Sequence, residues 1–412
     1  MKEMNKIFKY IAMAMLVIGV IAGCRPNETI GFHPTPSMDR SGRNIQGPGP
    51  ATPPSTIPKL SHTKLFTLGA PLPQMRGTNL SGGEMLWGKS ATDNPVSGTD
   101  YLFVSHQDID YLVSRGANFG RLLFSWEGVQ PVPNAPFPTT GNSGVYVSTL
   151  IDRVNYATSK GMYVMIEPHG ATDVNFAHYK GNLVGSAGCP NSQFADFWTR
   201  MAAQFKGNPN VIFGLSNEPN NMSTMQWFNA AQAAILGIRS TGAVNLIMVS
   251  GNGWTNALSW TATWYDTATP QVSNATAWTN TIKDPLNNTI AQVHSYYDAN
   301  ASGGGTDVVS PTIGVERMKI AVDWGRAAGV KVFIGEFGVS ATATNAQVAI
   351  VNTMTYLDQN KDVVAGWSWW AYGPPAWWGG YQFTLDPTSN YTVDQPQMAW
   401  LKPYFVGTNP PI

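Results

Sequence analysis

Val211-Ile-Phe-Gly-Leu-Ser-Asn217-Glu218-Pro219-Asn220 and Val330-Lys-Val-Phe-Ile-Gly-Glu336-Phe337-Gly338 are built alike: a short apolar run that stops at a glutamate. Runs rich in Val, Ile and Phe of this length read as buried strands. A carboxylate at the carboxyl end of a buried strand is poorly placed for packing and well placed for chemistry.

Outward from these two segments the chain alternates. Strand-like runs occur at Gln74–Leu80, Asn118–Phe124, Tyr163–Glu167, Val211–Ser216, Asn245–Val249, Ile290–His294, Val330–Gly335 and Val363–Trp367. Helix-compatible segments fall between them, at His106–Arg115, Val147–Lys160, Asn191–Lys206, Met225–Ser240, Gly314–Ala328 and Asn345–Asn360. Three of these segments end in glycine, at Arg115-Gly116, Lys160-Gly161 and Thr241-Gly242, where a left-handed cap is expected. The alternation predicts an α/β fold, a (β/α)8 TIM barrel, in preference to an open sheet. A doubly wound sheet would want a Gly-rich phosphate turn after its first strand. Arg76-Gly-Thr-Asn-Leu-Ser-Gly-Gly83 resembles one only superficially.

In such barrels the chemistry comes from the carboxyl ends of the strands. Nearly every run here closes on a polar or aromatic group: Arg121 with Trp126 and Glu127, Glu167 with His169, Asn217 with Glu218, Asn252 with Trp254, His294 with Tyr296, Glu336, and Trp370. Groups that are costly to bury do not gather there for packing. Two carboxylates brought face to face are the minimum equipment for cleaving a glycosidic bond.

Seven stretches resemble, in order, the cellulase branch of glycoside hydrolase family 5. They are Arg76-Gly-Thr-Asn-Leu-Ser-Gly-Gly-Glu84, Arg121-Leu-Leu-Phe-Ser-Trp-Glu-Gly-Val-Gln-Pro131, Gly214-Leu-Ser-Asn-Glu-Pro219, Gly251-Asn-Gly-Trp254, Val293-His-Ser-Tyr-Tyr-Asp298, Gly335-Glu-Phe-Gly338 and Trp369-Trp370-Ala371. The resemblance implies a retaining endo-β-1,4-glucanase, with Glu218 as acid/base, Glu336 as nucleophile and the carboxyls about 5 Å apart. It implies that Arg121 keeps Glu336 ionised and that the negative Glu336 keeps Glu218 protonated. It further implies Asn217 on the sugar 2-hydroxyl, Tyr296 on Glu336, His294 and His169 as positioning groups, and Trp370 as the floor under the sugar. Glu167-Pro-His-Gly170 departs from the family pattern, making His169 the softest match. Trp254, Trp260, Trp264 and the Trp377-Trp378 pair lie in long segments after strands, where further sugar subsites would be built. Glu127 reads as a loop-fixing residue and Glu84 as ambiguous. A β-mannanase or other β-glucanase on the same barrel remains open, as does a surface glycan-binding lipoprotein without turnover.

Composition agrees with an uncharged substrate. Lys+Arg 25 balances Asp+Glu 25, which gives no case for nucleic acid, and charged residues make up only 12%. The amino terminus has Lys2, Lys6 and Lys9 before an apolar stretch that ends at Ala22-Gly23-Cys24. This predicts a lipoprotein signal over residues 1–23, with Cys24 lipidated and the protein exported, either anchored to the cell envelope or secreted. Residues 24–64, rich in Pro, Thr and Ser, read as a flexible linker, and 65–412 as one catalytic domain. Cys189 is then left without an internal partner for a disulfide. The six histidines are scattered with no metal-binding spacing, so neither metal nor other cofactor is expected. No Gly-x-Ser-x-Gly elbow is present, and a monomer is expected.

Overall fold

The computed structural model describes residues 72–86, 94–170, 177–374, 378 and 380–405. The expected signal, Cys24 and the linker lie outside the described residues, as does Trp377.

Eight parallel strands close a barrel. They are β1 (Met75–Leu80), β2 (Phe119–Phe124), β3 (Tyr163–Pro168), β6 (Val211–Gly214), β7 (Ile247–Ser250), β8 (Thr289–His294), β9 (Val332–Glu336) and β10 (Val364–Tyr372). A small antiparallel hairpin, β4 (His178–Tyr179) with β5 (Asn182–Leu183), sits in the connection between β3 and β6. The hydrogen-bonded order runs β1-β10-β9-β8-β7-β6-β3-β2 and returns to β1, as the alternation predicts.

Helices return the chain from strand to strand. The first, His106–Ser114, opens on a capping box in which Ser105 and Asp108 each accept the other's backbone N–H. Such a cap contributes ~1 kcal/mol. The three predicted glycine caps carry positive φ, at 96° for Gly116, 86° for Gly161 and 81° for Gly242. One helix begins earlier than its pattern predicts, at Gly141 rather than Val147. Buried Tyr146 lies in that extra stretch and donates to the Gly83 carbonyl at 2.6 Å, so a tertiary contact overrides weak local propensity. β10 runs on to Tyr372 instead of stopping at Trp367, because β1 keeps pairing with it as far as Leu80 opposite Tyr372. β6 stops at Gly214, which leaves Asn217 and Glu218 on a loop above the barrel.

Two apolar clusters hold the fold. One lies mainly between the strands and the helices. The other fills the amino-terminal half of the barrel interior with Met75, Phe119, Tyr163, Met165, Ile212, Leu246, Met248, Ile290 and Phe333. Burying an apolar side chain of this size contributes ~1.5–3 kcal/mol. The plug also sets the depth at which the polar half begins.

Candidate active site

Arg121 points into the barrel from β2, one inward position beyond Phe119, and is fully buried. A guanidinium only donates, so its position dictates what must face it. Nε donates to Glu167 Oε2 at 2.6 Å. Nη1 donates to Asn79 Oδ1 at 2.5 Å and to Glu336 Oε1 at 2.6 Å, and Nη2 donates to Asn217 Oδ1. One cation thus ties the ends of β1, β3 and β9 to the loop after β6. Asn217 must turn its oxygen toward Arg121, which turns its NH2 group away and leaves it for another acceptor.

Glu336 closes β9 with both oxygens engaged, Oε1 by Arg121 and Oε2 by the Tyr296 hydroxyl at 2.6 Å. Glu218 Oε1 lies 2.6 Å from His294 Nδ1, and 14% of the Glu218 side chain is exposed. The same Nδ1 is 3.5 Å from Glu336 Oε2. One oxygen from each glutamate and this nitrogen lie within 4.8 Å of one another. That donor set could hold a small cation in principle, but the Arg121 guanidinium already on Glu336 would repel it at close range.

The two carboxyls have different surroundings. Burial and then the neighbouring Glu336 charge hold Glu218 well above the usual carboxylate range. Burial also raises Glu336, while the Arg121 cation and the Tyr296 hydroxyl pull it back down. Glu336 is therefore the carboxyl that ionises first. Burial, assisted by Arg121, keeps both histidines neutral, with His294 far below its ordinary value and His169 at about 3. The pair can hold one acid and one anion side by side.

Aromatic rings border this centre. Trp370, at the end of β10, is half-buried and donates from Nε1 to Tyr381 at 3.0 Å. The His169 ring lies nearly parallel to it, at 15° with centroids 5.8 Å apart. Trp378 is buried, with only 7% of it exposed, and sets its edge against Trp370 at 5.9 Å, so it backs that ring and offers little open face. Trp254 is half-buried, and its backbone N–H donates to the Pro219 carbonyl at 3.0 Å, beside Glu218. Gly253, Trp254 and Thr255 are three successive left-handed residues, with φ of 71°, 59° and 49°. Each non-glycine residue of the three carries a strain of ~1 kcal/mol or more. The turn is held from both sides, since Thr255 Oγ1 donates to the Gln292 carbonyl at 2.6 Å and its own carbonyl accepts the His294 N–H at 2.9 Å.

Trp260 is not a subsite residue. It is fully buried against Trp324, a packing role that its loop position in the sequence conceals. Trp264 remains 53% exposed beside Tyr265. Glu127 fixes a loop as expected, accepting the Lys180 N–H at 2.8 Å. Glu84 does the same for the turn after β1, accepting the Gly82 N–H at 2.7 Å.

Sequence reasoning assigned no site role to Asn79, Gln292 or Tyr381, and marked Glu167 only as one of the polar groups that close strands. For Gln292 a signal existed: Ile290, Gln292 and His294 share one face of a strand by the two-residue period, so an amide in that row points inward. The others depend on partners far along the chain.

The family model for cellulase (glycosyl hydrolase family 5) matches residues 71–373. Endo-beta-1,4-glucanase A of Emericella nidulans is 36% identical over 336 residues, covering 81% of this chain and 92% of that protein. Endoglucanase 3 of Humicola insolens is 35% identical over 306 residues, covering 74% and 69%. Among solved structures, the endo-beta-1,4-glucanase Xac0029 from Xanthomonas axonopodis pv. citri superimposes with a TM-score of 0.72 at 38% identity, covering 80% of this chain and 98% of that one. XacCel5A in complex with cellopentaose gives 0.73 at 36% identity, covering 81% and 100%. The chain is a glycoside hydrolase, and it belongs to the cellulase family, glycosyl hydrolase family 5.

Proposed function

We propose that this protein is a retaining endo-β-1,4-glucanase that cuts internal bonds of a cellulose-like glucan by double displacement. The observation that carries the reading is the asymmetric carboxyl pair: oxygens within 4.8 Å, a guanidinium on Glu336 and an imidazole on Glu218. Retaining hydrolysis wants the two carboxyls about 5 Å apart, whereas an inverting site needs room for a water between them.

Glu336, the carboxyl that ionises first, attacks the anomeric carbon while Glu218 gives its proton to the leaving oxygen. Once the glycosyl-enzyme forms, Glu336 has lost its charge and no longer raises Glu218. Glu218 is then an anion and takes a proton from the incoming water. The Asn217 NH2 binds the sugar 2-hydroxyl, and Trp370, backed by Trp378 and flanked by His169, lies under the ring. Trp254, fixed beside Pro219, serves the leaving-group side.

The substrate class rests on the glucanases named above and on the cellopentaose bound by one of them. The test is reducing-sugar release from carboxymethyl-cellulose and from mannan by the protein and by Glu336→Gln, with proton NMR of the first anomer formed. Release from the cellulose derivative by the unaltered protein alone, as the β-anomer first, is the expected result. Release only from mannan would overturn the substrate, and the α-anomer first would overturn the mechanism. The basic, apolar segment that ends at Cys24 supports export and a lipid on Cys24 that holds the protein at the cell envelope through the 24–64 linker. Metabolic labelling with palmitate that persists in Cys24→Ala would refute the anchor.

A further inference from the structure

Gln292 lies between two groups that the mechanism needs, and it is fully buried. Its Nε2 is 3.3 Å from Glu167 Oε2 and 3.3 Å from His294 Nε2. Glu167, bound to Arg121, is an acceptor, so the NH2 end of the amide must be the end that faces it; the flipped amide would set oxygen against oxygen. That same NH2 then donates its second hydrogen to His294 Nε2, which must be a bare acceptor. Burial and the Arg121 cation keep the imidazole neutral, so its single proton sits on Nδ1, directed at Glu218.

We propose that Gln292 is a positioning residue that sets the tautomer of His294, so that Glu218 always meets an N–H donor and never a nitrogen lone pair. The inference rests on the acid/base reading of Glu218 and adds to it the device that keeps its proton available. With Nδ1–H on Oε1, a protonated Glu218 carries its proton on Oε2, the oxygen that His294 does not hold. When Glu218 is ionised in the second half of the reaction, the same N–H stabilises its charge. The opposite tautomer would present a lone pair at 2.6 Å and take up the proton meant for the leaving oxygen.

The backbone is shaped around this chain of groups. A Cβ at Gly335 would come within 2.9 Å of both the Gln292 side chain and His294 Nε2. A Cβ at Gly214 would come within 2.6 Å of Glu167 Oε1. Side chains at either position would collide with the relay. Other groups also act on Glu218 and His294: Glu336 from β9, Arg121 from β2, Glu167 and His169 from β3 and its end, and Tyr296 beyond β8. A neutral replacement of Gln292 leaves all of them in place.

The test uses the full chain with Gln292→Met, which keeps length and bulk but cannot donate. Nitrogen-15 NMR of the imidazoles, with His294 assigned by its loss in His294→Gln, reads the tautomer directly. The unaltered protein is expected to show Nδ1–H, and Gln292→Met to lose that preference. In the variant kcat should fall ~10-fold or more with KM within about two-fold. The basic limb of kcat/KM should rise by about one pH unit, because an ionised Glu218 that loses a donor binds its proton more tightly. Gln292→Glu, which offers His294 an acceptor, should fix the proton on Nε2 and move the limb further the same way. Nε2–H in the unaltered protein would overturn the proposal, even if Gln292→Met failed to fold. So would a folded Gln292→Met whose tautomer and basic limb are unchanged. Activity that survives Glu218→Gln would instead refute the acid/base reading, whatever the tautomer.

Discussion

Along β2 the inward residue at the amino end is Phe119, and two residues later it is Arg121; along β8, Ile290 gives way to Gln292 and His294. The two halves of the barrel interior use the same inward row of each strand and have opposite chemistry. Below, Phe119 packs on Phe333 with centroids 4.7 Å apart in an apolar plug. Above, a buried cation binds two buried carboxylates. Removing an ion from water costs several kcal/mol even after relaxation, so the upper half subtracts from stability wherever its pairing is incomplete. The plug and the outer core hold in place a site that would not assemble for stability's sake.

The largest effect is expected at Glu336. Glu336→Gln should reduce reducing-sugar release by ~10^4-fold or more while the melting temperature holds or rises, because a buried charge is removed along with the proposed nucleophile. Next comes Arg121→Met, which strands Glu167 and Glu336 without their cation. It should cost ~3–5 kcal/mol in denaturant unfolding. It should also move the acidic limb of any remaining activity to higher pH, since Glu336 then holds its proton more tightly. Phe119→Ala, two residues away, should cost a similar ~3–5 kcal/mol yet leave kcat per folded molecule nearly unchanged. Equal losses of activity in the two variants would mean that plug and site are not separable.

A smaller effect is expected just beyond the end of β10. Asp386 accepts the Gly373 N–H at 2.9 Å through one oxygen, and its other oxygen is buried without a hydrogen-bond partner among the described residues. Burial raises it from 3.8 to about 7. The folded state then binds a proton that the unfolded state has released, so stability falls as pH rises from about 4 to 7 and is flat above. Asp386→Asn should remove that slope, stabilising the fold by a few kcal/mol at pH 8 and little at pH 4, as read from melting temperature against pH. The smallest change is Trp264→Ala, on an exposed loop, expected to shift stability by no more than ~0.5 kcal/mol in the same unfolding assay.

The barrel was readable from the sequence because its signals are local. Short apolar runs, helical segments between them and glycines after three helices each express a preference held within a few residues. Where the prediction slipped, the cause was a contact from elsewhere: Tyr146 reaching Gly83 extended a helix, and β1 pairing with β10 carried that strand past Trp367. The tryptophans show the same limit. Trp254, Trp260, Trp264 and Trp378 look alike as loop aromatics, yet one lies beside Glu218, one is core, one is exposed and one backs Trp370.

The chain alone therefore specified the strands, their order and the two glutamates, one just past the fourth strand of the barrel and one closing the seventh, since each is written in contiguous residues. It did not specify which polar groups would meet inside. Arg121 joins Glu167 across 46 residues and Glu336 across 215, and Asn79 reaches the Gly335 carbonyl across 256. Those pairings exist only once the barrel closes and buries them out of reach of water, where each donor must find an acceptor. That closure, and no local preference, decides which glutamate ionises and which histidine nitrogen carries the proton.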